Sequence, residues 1–333
     1  MADKRFLVVR LGSLGDIVHT FPAVAGLRES FPGAEIIWLT HPRWVELVAS
    51  SRLATHIWPV NSRDLSSVRS TIRKLRSACW DAAIDYQGLW KSAMLPFVGG
   101  IKKRIGFSSA TIREYGVPVL YTDRVQTRST HIVDQNGELT LRVDASKPLG
   151  QVVLHVSEAG EQEVQANLTA ARIERYVVLS PGGGWLAKCW PPDRFGGLCQ
   201  RITNELGLSC VINYGPGEEG LVASVQTSTG ESSALAYNTG LAQLMALLRR
   251  AACVVAGDTG PLHLAAAFGT PTVALFGPTD PARNGPYSSH DIVLRSPHAT
   301  TTYKRGDSPD ASMLQLSVEE VFSALQRRIG ANS

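Results

Sequence analysis

The sequence predicts an α/β protein made of two doubly wound domains, each with a parallel sheet between layers of helices. Short apolar runs typical of buried strands alternate with helical patterns of roughly 15 residues, as βαβ units require. Several runs end in glycine-containing loops. The same order of elements begins again after a polar stretch at about residues 142–174. The length of 333 residues also suits about two domains, which we expect at residues 1–160 and 161–333.

In the first domain, β-rich runs and a helical apolar spacing define the elements in order. The predicted strands are Phe6–Arg10, Glu35–Thr40, His56–Val60 and Asp81–Tyr86. Helices are predicted at about residues 16–30 and 65–77, the second from the spacing of Val68, Ile72 and Leu75.

In the second domain the predicted strands are Tyr176–Ser180, Ser209–Asn213, Ala252–Ala256 and Thr272–Phe276. One helix follows Pro191 and Pro192 and ends at Gly207, and another begins at Pro261. The last helix begins at Ser317, and Glu320 three residues later completes a capping-box pattern.

Composition excludes several classes of protein. With 44% hydrophobic and 19% charged residues, the chain is neither disordered nor fibrous. The net charge of +4, without a block of lysine and arginine, argues against a dedicated nucleic-acid binder. No apolar stretch has the length of a signal peptide or a membrane-spanning helix. The five scattered cysteines suit reduced, packed thiols, so we expect a soluble cytoplasmic protein.

Two loops of the first domain carry candidate functional residues. Asp16 follows the glycine-containing loop after the first strand, and two interpretations remain open for it. It is either a helix N-cap or a carboxylate available as a general base. After the strand Asp81–Tyr86, Gln87 could hold a substrate hydroxyl and Lys91 an anionic group. The alternative is a capped turn with a solvated lysine.

Two loops of the second domain suit phosphate. Three consecutive glycines, Gly182–Gly184, expose successive N–H groups, and Lys188 follows them as a mobile charge. The segment from Gly257 to His263 joins a strand to a helix whose N-terminal N–H groups attract anions. Either Thr259 or Asp258 would cap that helix. Two phosphate loops in one domain and a carboxylate in the other suit a nucleotide-sugar transferase.

Five motifs together resemble the ADP-heptose:lipopolysaccharide heptosyltransferases of glycosyltransferase family 9, and most closely heptosyltransferase I. They occur in family order over about 270 residues. They are Gly12–Asp16 with Thr20 and Pro22, Asp85–Ser92, Gly215–Glu219, Gly257–His263 and Phe276–Pro281. The resemblance implies the GT-B fold, in which two Rossmann-like domains face each other across a cleft.

The resemblance also implies an activity. The reaction is an inverting, metal-independent transfer of heptose from ADP-heptose to the lipopolysaccharide inner core, at Kdo-lipid A or at the first heptose. No cofactor and no metal site are implied. Asp16 matches the catalytic base. The positions that match the donor and phosphate site are Gly183, Gly184, Lys188, Glu218, Glu219, Asp258, Thr259, Gly260 and His263. Those assigned to the acceptor are Gly15, Gln87, Lys91 and Arg113.

Alternatives remain open. A family 9-like transferase could use another nucleotide-sugar donor or acceptor, and a sugar-nucleotide epimerase shares the architecture. A dinucleotide-dependent oxidoreductase is disfavoured because the first loop lacks the third glycine of that fingerprint. A non-catalytic relative is disfavoured by the intact Asp16 and His263. The chain also departs from its relatives, since heptosyltransferase I proteins often carry hydroxyl residues at the positions of Gly183 and Gly184.

A lipid acceptor implies peripheral contact with the cytoplasmic face of the inner membrane. The basic triplet Lys102–Arg104 is a candidate docking element, and a solvated turn is the alternative.

Overall fold

The computed structural model describes residues 4–109, 112, 114–230, 234–288, 290–302 and 306–330. The chain forms two compact units, unit 1 ending at His155 and unit 2 beginning at Val156. The expected division after residue 160 falls inside a helix, Glu158–Ala170, which Ser157 caps through its hydroxyl. Each unit contains a six-stranded parallel sheet with helices, so the predicted α/β class is confirmed.

The sheet of unit 1 has the order β3-β2-β1-β4-β5-β6. Its strands are β1 Arg5–Val9, β2 Glu35–Thr40, β3 His56–Pro59, β4 Ala82–Asp85, β5 Arg104–Phe107 and β6 Asp123–Val125. Its helices are α1 Leu14–Val18, α2 Phe21–Ser30, α3 Val45–Ser50, α4 Leu65–Arg76, α5 Trp90–Val98 and α6 Ile132–Thr140. The order reverses between β1 and β4, where ligand sites form in doubly wound sheets.

The sheet of unit 2 has the order β12-β11-β10-β7-β8-β9. Its strands are β7 Tyr176–Ser180, β8 Ser209–Tyr214, β9 Ala234–Asn238, β10 Cys253–Gly257, β11 Thr272–Phe276 and β12 Ile292–Arg295. Its helices are α7 Glu158–Ala170, α8 Pro192–Leu206, α9 Glu219–Thr227, α10 Leu241–Arg250, α11 Gly260–Phe268, α12 Pro281–Asn284, α13 Ala311–Leu314 and α14 Val318–Gly330. Here the order reverses between β10 and β7.

Burial explains why the central strands were predictable. Every residue of β7, β10 and β11 is buried, and strands buried on both faces have continuous apolar sequences. The predicted capping box also forms, since Ser317 and Glu320 exchange hydrogen bonds at the start of α14. The edge strands β6, β9 and β12 are short, partly exposed and without a clear period, so the sequence did not reveal them. The inner strand β5 was also missed, because its run of four residues is too short to show a period.

One helix prediction is wrong in a place that bears on the site. The continuous helix expected over about residues 16–30 is two helices, α1 and α2, interrupted at His19 and Thr20. Pro22 has no N–H to donate to a preceding carbonyl and therefore ends the first helix. The Thr20 hydroxyl instead donates to the Asp16 carbonyl at 2.8 Å.

Candidate functional site

Asp16 occupies the third position of α1, and Ser13 is the N-cap of that helix. The N-cap interpretation of Asp16 is therefore wrong by position, although the carboxylate does serve the helix start. Its Oδ2 accepts hydrogen bonds from the Ser13 N–H at 3.0 Å and the Ser13 hydroxyl at 3.1 Å. The side chain remains 47% exposed. A carboxylate that is fixed in orientation and still open to solvent suits a general base.

Arg10 is a functional candidate that the sequence analysis missed. It directly follows β1, and its buried guanidinium reaches the Asp16 Oδ1 with Nη2 at 2.6 Å. Nη1 donates to the Tyr86 carbonyl. A buried arginine requires a partner, and this one holds the second oxygen of Asp16 in place. The one feature of the sequence that could have revealed Arg10 is its charge at the end of an otherwise apolar strand.

The loop between β1 and α1 needs glycine at position 12. Gly12 has a φ of +152°, which L side chains rarely adopt, and the Trp44 indole lies against it. A β-carbon at Gly12 would be 2.8 Å from the indole Nε1. Any larger residue would therefore displace the loop that carries Ser13 and Asp16.

Of the other predicted acceptor residues, two lie beside Asp16 or its loop, one lies on α5 and one lies outside the described residues. Gln87 lies beside the Asp16 loop, because its Oε1 accepts the Leu11 N–H at 2.7 Å. A substrate hydroxyl would therefore meet its NH₂ group. Gly15 is buried within α1, whereas Lys91 is exposed in the first turn of α5. Arg113 lies outside the described residues.

Asp85 forms a buried polar network behind these loops. Its Oδ2 accepts from the Tyr121 hydroxyl at 2.7 Å and the Ser92 hydroxyl at 2.8 Å, while Oδ1 accepts from the Gln87 N–H at 2.9 Å. Complete burial raises the pKa of Asp85 above its ordinary value, although these hydrogen bonds act in the opposite direction. The network fixes the turn that carries Gln87.

The raised pKa of Asp85 gives a pH prediction. The folded protein holds the proton more tightly than the unfolded chain, so its free energy of unfolding should fall as the pH rises above about 4. Asp85→Asn removes this titration. Its stability relative to the parent should therefore rise with pH by up to about 1.4 kcal/mol per pH unit until the folded-state pKa is passed. Urea unfolding between about pH 4 and pH 7 measures this. The exposed Asp81→Asn is the control, and equal pH slopes for both variants would contradict the prediction.

In unit 2, three predicted donor-site residues form one cluster. Lys188 Nζ lies 2.6 Å from Asp258 Oδ2, and His263 Nε2 lies 3.1 Å from Asp258 Oδ1. Asp258 and His263 are buried, and the Lys188 side chain is 18% exposed. The Lys188 ammonium also lies 4.5 Å from the centre of the Trp185 ring. The lysine is thus an oriented cation rather than the mobile one that the sequence suggests.

The charges next to Asp258 determine its protonation state. Burial opposes the charged form of Asp258, but the hydrogen bond and charge of His263, together with Lys188, outweigh it and hold the pKa well below its usual range. Asp258 is therefore a carboxylate at neutral pH. It can keep Lys188 in place and accept hydrogen bonds from a ligand hydroxyl.

The N-terminus of α11 lies beside this cluster. Thr259 is the N-cap and Gly260 the first residue of the nine-residue helix. The glycine loop after β7 reaches the same point, since a β-carbon at Gly183 would be 3.1 Å from the Thr259 methyl group, whereas Gly184 has open space. The first N–H groups of a helix and an adjacent lysine are the elements of an anion site.

The two glutamates differ in position. Glu218 accepts the Gly215 N–H at 2.8 Å, and a β-carbon at Gly182 would overlap its carboxylate. Glu219 is exposed and accepts the Gly217 N–H at 3.3 Å. Glu218 therefore lies at the glycine loop, and a carboxylate there suits ligand hydroxyl groups rather than phosphate.

Two features are absent from the described residues. No group of three or more histidine, cysteine, aspartate or glutamate side chains is placed to hold a metal ion there. Nor does that part of the chain contain a helix long and apolar enough to cross a membrane.

Comparison with known sequences identifies relatives along most of the chain. The family model "Glycosyltransferase family 9 (heptosyltransferase)" matches residues 68–311. Lipopolysaccharide heptosyltransferase 1 of Pseudomonas aeruginosa is 30% identical over 303 residues, covering 88% of this chain and 84% of the relative. Lipopolysaccharide heptosyltransferase 3 of Escherichia coli K12 is 25% identical over 285 residues, with 80% of each chain covered.

Solved structures share the fold. A family 9 glycosyltransferase from Veillonella parvula matches with a TM-score of 0.85 at 20% identity, covering 99% of both chains. Escherichia coli heptosyltransferase WaaC, solved with ADP-2-deoxy-2-fluoro heptose, matches with a TM-score of 0.75 at 23% identity, covering 99% of this chain and 100% of the other. These neighbours confirm the predicted GT-B fold class. The family model and the relatives together show that this chain is a glycosyltransferase and belongs to glycosyltransferase family 9, the heptosyltransferases.

Proposed function

We propose that this enzyme transfers heptose from ADP-heptose to the inner core of lipopolysaccharide. The observation that carries the proposal is the Lys188–Asp258–His263 cluster at the N-terminus of α11. It combines an anion site with a carboxylate suited to sugar hydroxyls. The names of the relatives, and the ADP-heptose analogue in the WaaC structure, support this donor and this acceptor.

The proposed reaction is an inverting displacement without a metal ion. In it Asp16 removes the proton from the acceptor hydroxyl as the oxygen attacks the anomeric carbon. The departing ADP then needs positive charge, which Lys188 and the N-terminus of α11 supply. One base on the acceptor side and one anion site for the leaving group are sufficient for this chemistry. No cofactor is proposed.

We propose the first heptose position, on Kdo-lipid A, as the place of transfer. The support is the identity to relatives named heptosyltransferase 1, 30% in Pseudomonas aeruginosa and 27% in Escherichia coli K12, against 26% to heptosyltransferase 2 of Escherichia coli K12. Offering the protein Kdo-lipid A and the singly heptosylated acceptor separates the positions. Faster transfer to the heptosylated acceptor would contradict this assignment. Because both acceptors are lipids, the proposal includes peripheral contact with the cytoplasmic face of the inner membrane.

The donor is tested first by a thermal-shift series with ADP, UDP, GDP and NAD⁺ in the presence of EDTA. A ligand at about 100 times its Kd stabilises the folded state by about 2.7 kcal/mol, which shifts the unfolding temperature measurably. We expect this shift for ADP alone. A shift with UDP or GDP instead would keep the transferase and replace the donor. A shift with NAD⁺ alone would overturn the proposed function.

A further inference from the structure

We propose that unit 1 docks on an anionic phospholipid bilayer through an apolar surface formed by α5 and the turn beside it. We name this surface the α5 face, and its residues are Trp90, Met94, Phe97, Tyr115 and Val119. The inference rests on the proposed function, because a lipid acceptor has to be reached at a bilayer. It assigns that contact to residues other than the basic triplet suggested by the sequence.

The α5 face exposes an unusual concentration of large apolar side chains. Trp90, Met94 and Phe97 lie at helical positions i, i+4 and i+7, which share one side of the helix, and each is 39–45% exposed. Tyr115 is 96% exposed and Val119 65% exposed. Single exposed apolar residues are ordinary, but a contiguous group of five marks an interaction surface.

The five residues form one surface because the turn packs on the helix. The Trp90 N–H donates to the Glu114 carboxylate at 2.7 Å. Gly116 lies against the Trp90 ring, with its β-carbon position 3.2 Å from the nearest ring atom. Val117 and Leu120 are buried against Ala93 in the same cluster. Tyr115 and Val119, which alternate with these anchored residues, therefore lie beside the exposed side of α5.

The segment that contains α4 and α5, two helices that pack on each other, carries a charge complementary to anionic lipid. Residues 61–104 contain nine lysines and arginines and three aspartates, a net charge of 9 − 3 = +6. The whole chain carries +4, so the remaining residues sum to −2. A basic surface attracts anionic headgroups over about a Debye length.

Several of these cations border α5 directly. The Arg104 guanidinium lies 5.3 Å from the centre of the Phe97 ring, and Arg76 Nε donates to the Val98 carbonyl at 3.1 Å. Lys91 and Lys102 are exposed near the two ends of the helix. Segments that lie in a bilayer interface typically contain tryptophan and tyrosine bordered by lysine and arginine. Lysine is depleted in protein interfaces, so the exposed Lys91 and Lys102 favour a lipid surface over a protein partner.

The basic triplet itself is only partly available. Arg104 belongs to β5, and its Nε donates to the Leu120 carbonyl at 2.7 Å. Its cation thus fastens the turn next to α5, and Lys102 is the exposed member. The triplet contributes to the border of the α5 face and is not the docking element by itself.

The test is co-sedimentation of the full chain with vesicles of phosphatidylethanolamine and phosphatidylglycerol, compared with phosphatidylcholine vesicles. The variant is the triple substitution Met94→Ser, Tyr115→Ser and Val119→Ser. The matched control replaces three similarly exposed residues elsewhere, Leu141→Ser, Val153→Ser and Leu314→Ser. We expect the variant to bind anionic vesicles at least about tenfold more weakly than the parent, since it loses apolar area at the interface. The control should bind as the parent does.

The second measurement is heptose transfer to a water-soluble, deacylated acceptor. This reaction does not require the α5 face, because a soluble acceptor does not have to be reached at a bilayer. The variant should retain the parent's kcat/KM there, which also shows that it is folded. Equal vesicle binding by variant and parent would overturn the proposed surface, as would binding by the parent that is indifferent to phosphatidylglycerol and salt. A parent that binds vesicles but transfers no heptose to the soluble acceptor would instead contradict the proposed function.

Discussion

Asp16→Asn is expected to lower kcat by about 10²- to 10⁴-fold, the usual contribution of a general base. Asparagine keeps the shape of the side chain, and its single oxygen can accept either the Ser13 hydrogen bonds or that of Arg10, but it cannot take up the acceptor proton. The affinity for ADP should remain unchanged, because the groups proposed to bind ADP belong to unit 2. Initial rates of ADP release with a deacylated acceptor, together with calorimetric titration of ADP, measure the two quantities separately.

The alternative for Asp16 is a purely structural role at the start of α1, and a matched control separates the two. Asp64 accepts the Ser66 N–H at 2.9 Å at the start of α4, so it caps a helix in the same unit. Asp64→Asn should change turnover less than about twofold, since exposed cap substitutions affect stability by only about 1 kcal/mol. If Asp16→Asn also kept turnover within a few-fold of the parent, Asp16 would not be the base.

Arg10 is expected to act as a positioning residue for Asp16. Arg10→Lys retains the charge but cannot hold the Asp16 Oδ1 and the Tyr86 carbonyl together, because an ammonium lacks the planar fork of the guanidinium. The change should therefore lower kcat more than it alters the KM for the donor. A variant with normal kcat would show that the ion pair is structural.

Asp258→Asn is expected to have the second-largest effect, on both stability and donor use. It leaves Lys188 without its carboxylate partner in a mostly buried position, and breaking a buried pair costs about 3–5 kcal/mol of unfolding free energy. With the lysine no longer held, the KM for ADP-heptose should rise and kcat should fall. Lys188→Met should share these effects, and the double variant should lose less than the sum of the two because the residues act as a pair.

The pH dependence of stability shows whether the loss in Asp258→Asn comes from the charge pair. The folded-state pKa of Asp258 lies below its unfolded value, so the stabilisation is present above about pH 4 and is lost as the pH falls toward the folded-state pKa. The stability difference between parent and Asp258→Asn should therefore shrink in acid. Urea unfolding at a series of pH values measures it, with the exposed Asp307→Asn as control. A difference that stayed constant from neutral to strongly acidic pH would rule out the charge pair as its source.

The sequence by itself determined the α/β class, most of the strands and the loops that carry chemistry. Strands such as β7 and β11 are buried on both faces, so their apolar runs were unambiguous. The glycine-containing loops after β1, β7 and β10 were visible because a tight turn into a helix restricts the residue types it can contain. Recurring local patterns of this kind do not depend on distant parts of the chain.

Only the tertiary structure decided which side chains meet. Arg10 reaches the Tyr86 carbonyl because β1 and β4 are neighbours in the parallel sheet, and the same guanidinium holds Asp16. Lys188 and Asp258 are 70 residues apart and lie 2.6 Å from each other because β7 and β10 are neighbours. The packing of Tyr121 and Ser92 on Asp85 likewise buries a carboxyl group that the sequence shows as an ordinary strand end. Contacts between residues far apart in the chain depend on strand order and burial, and neither is written in the local spacing of residues.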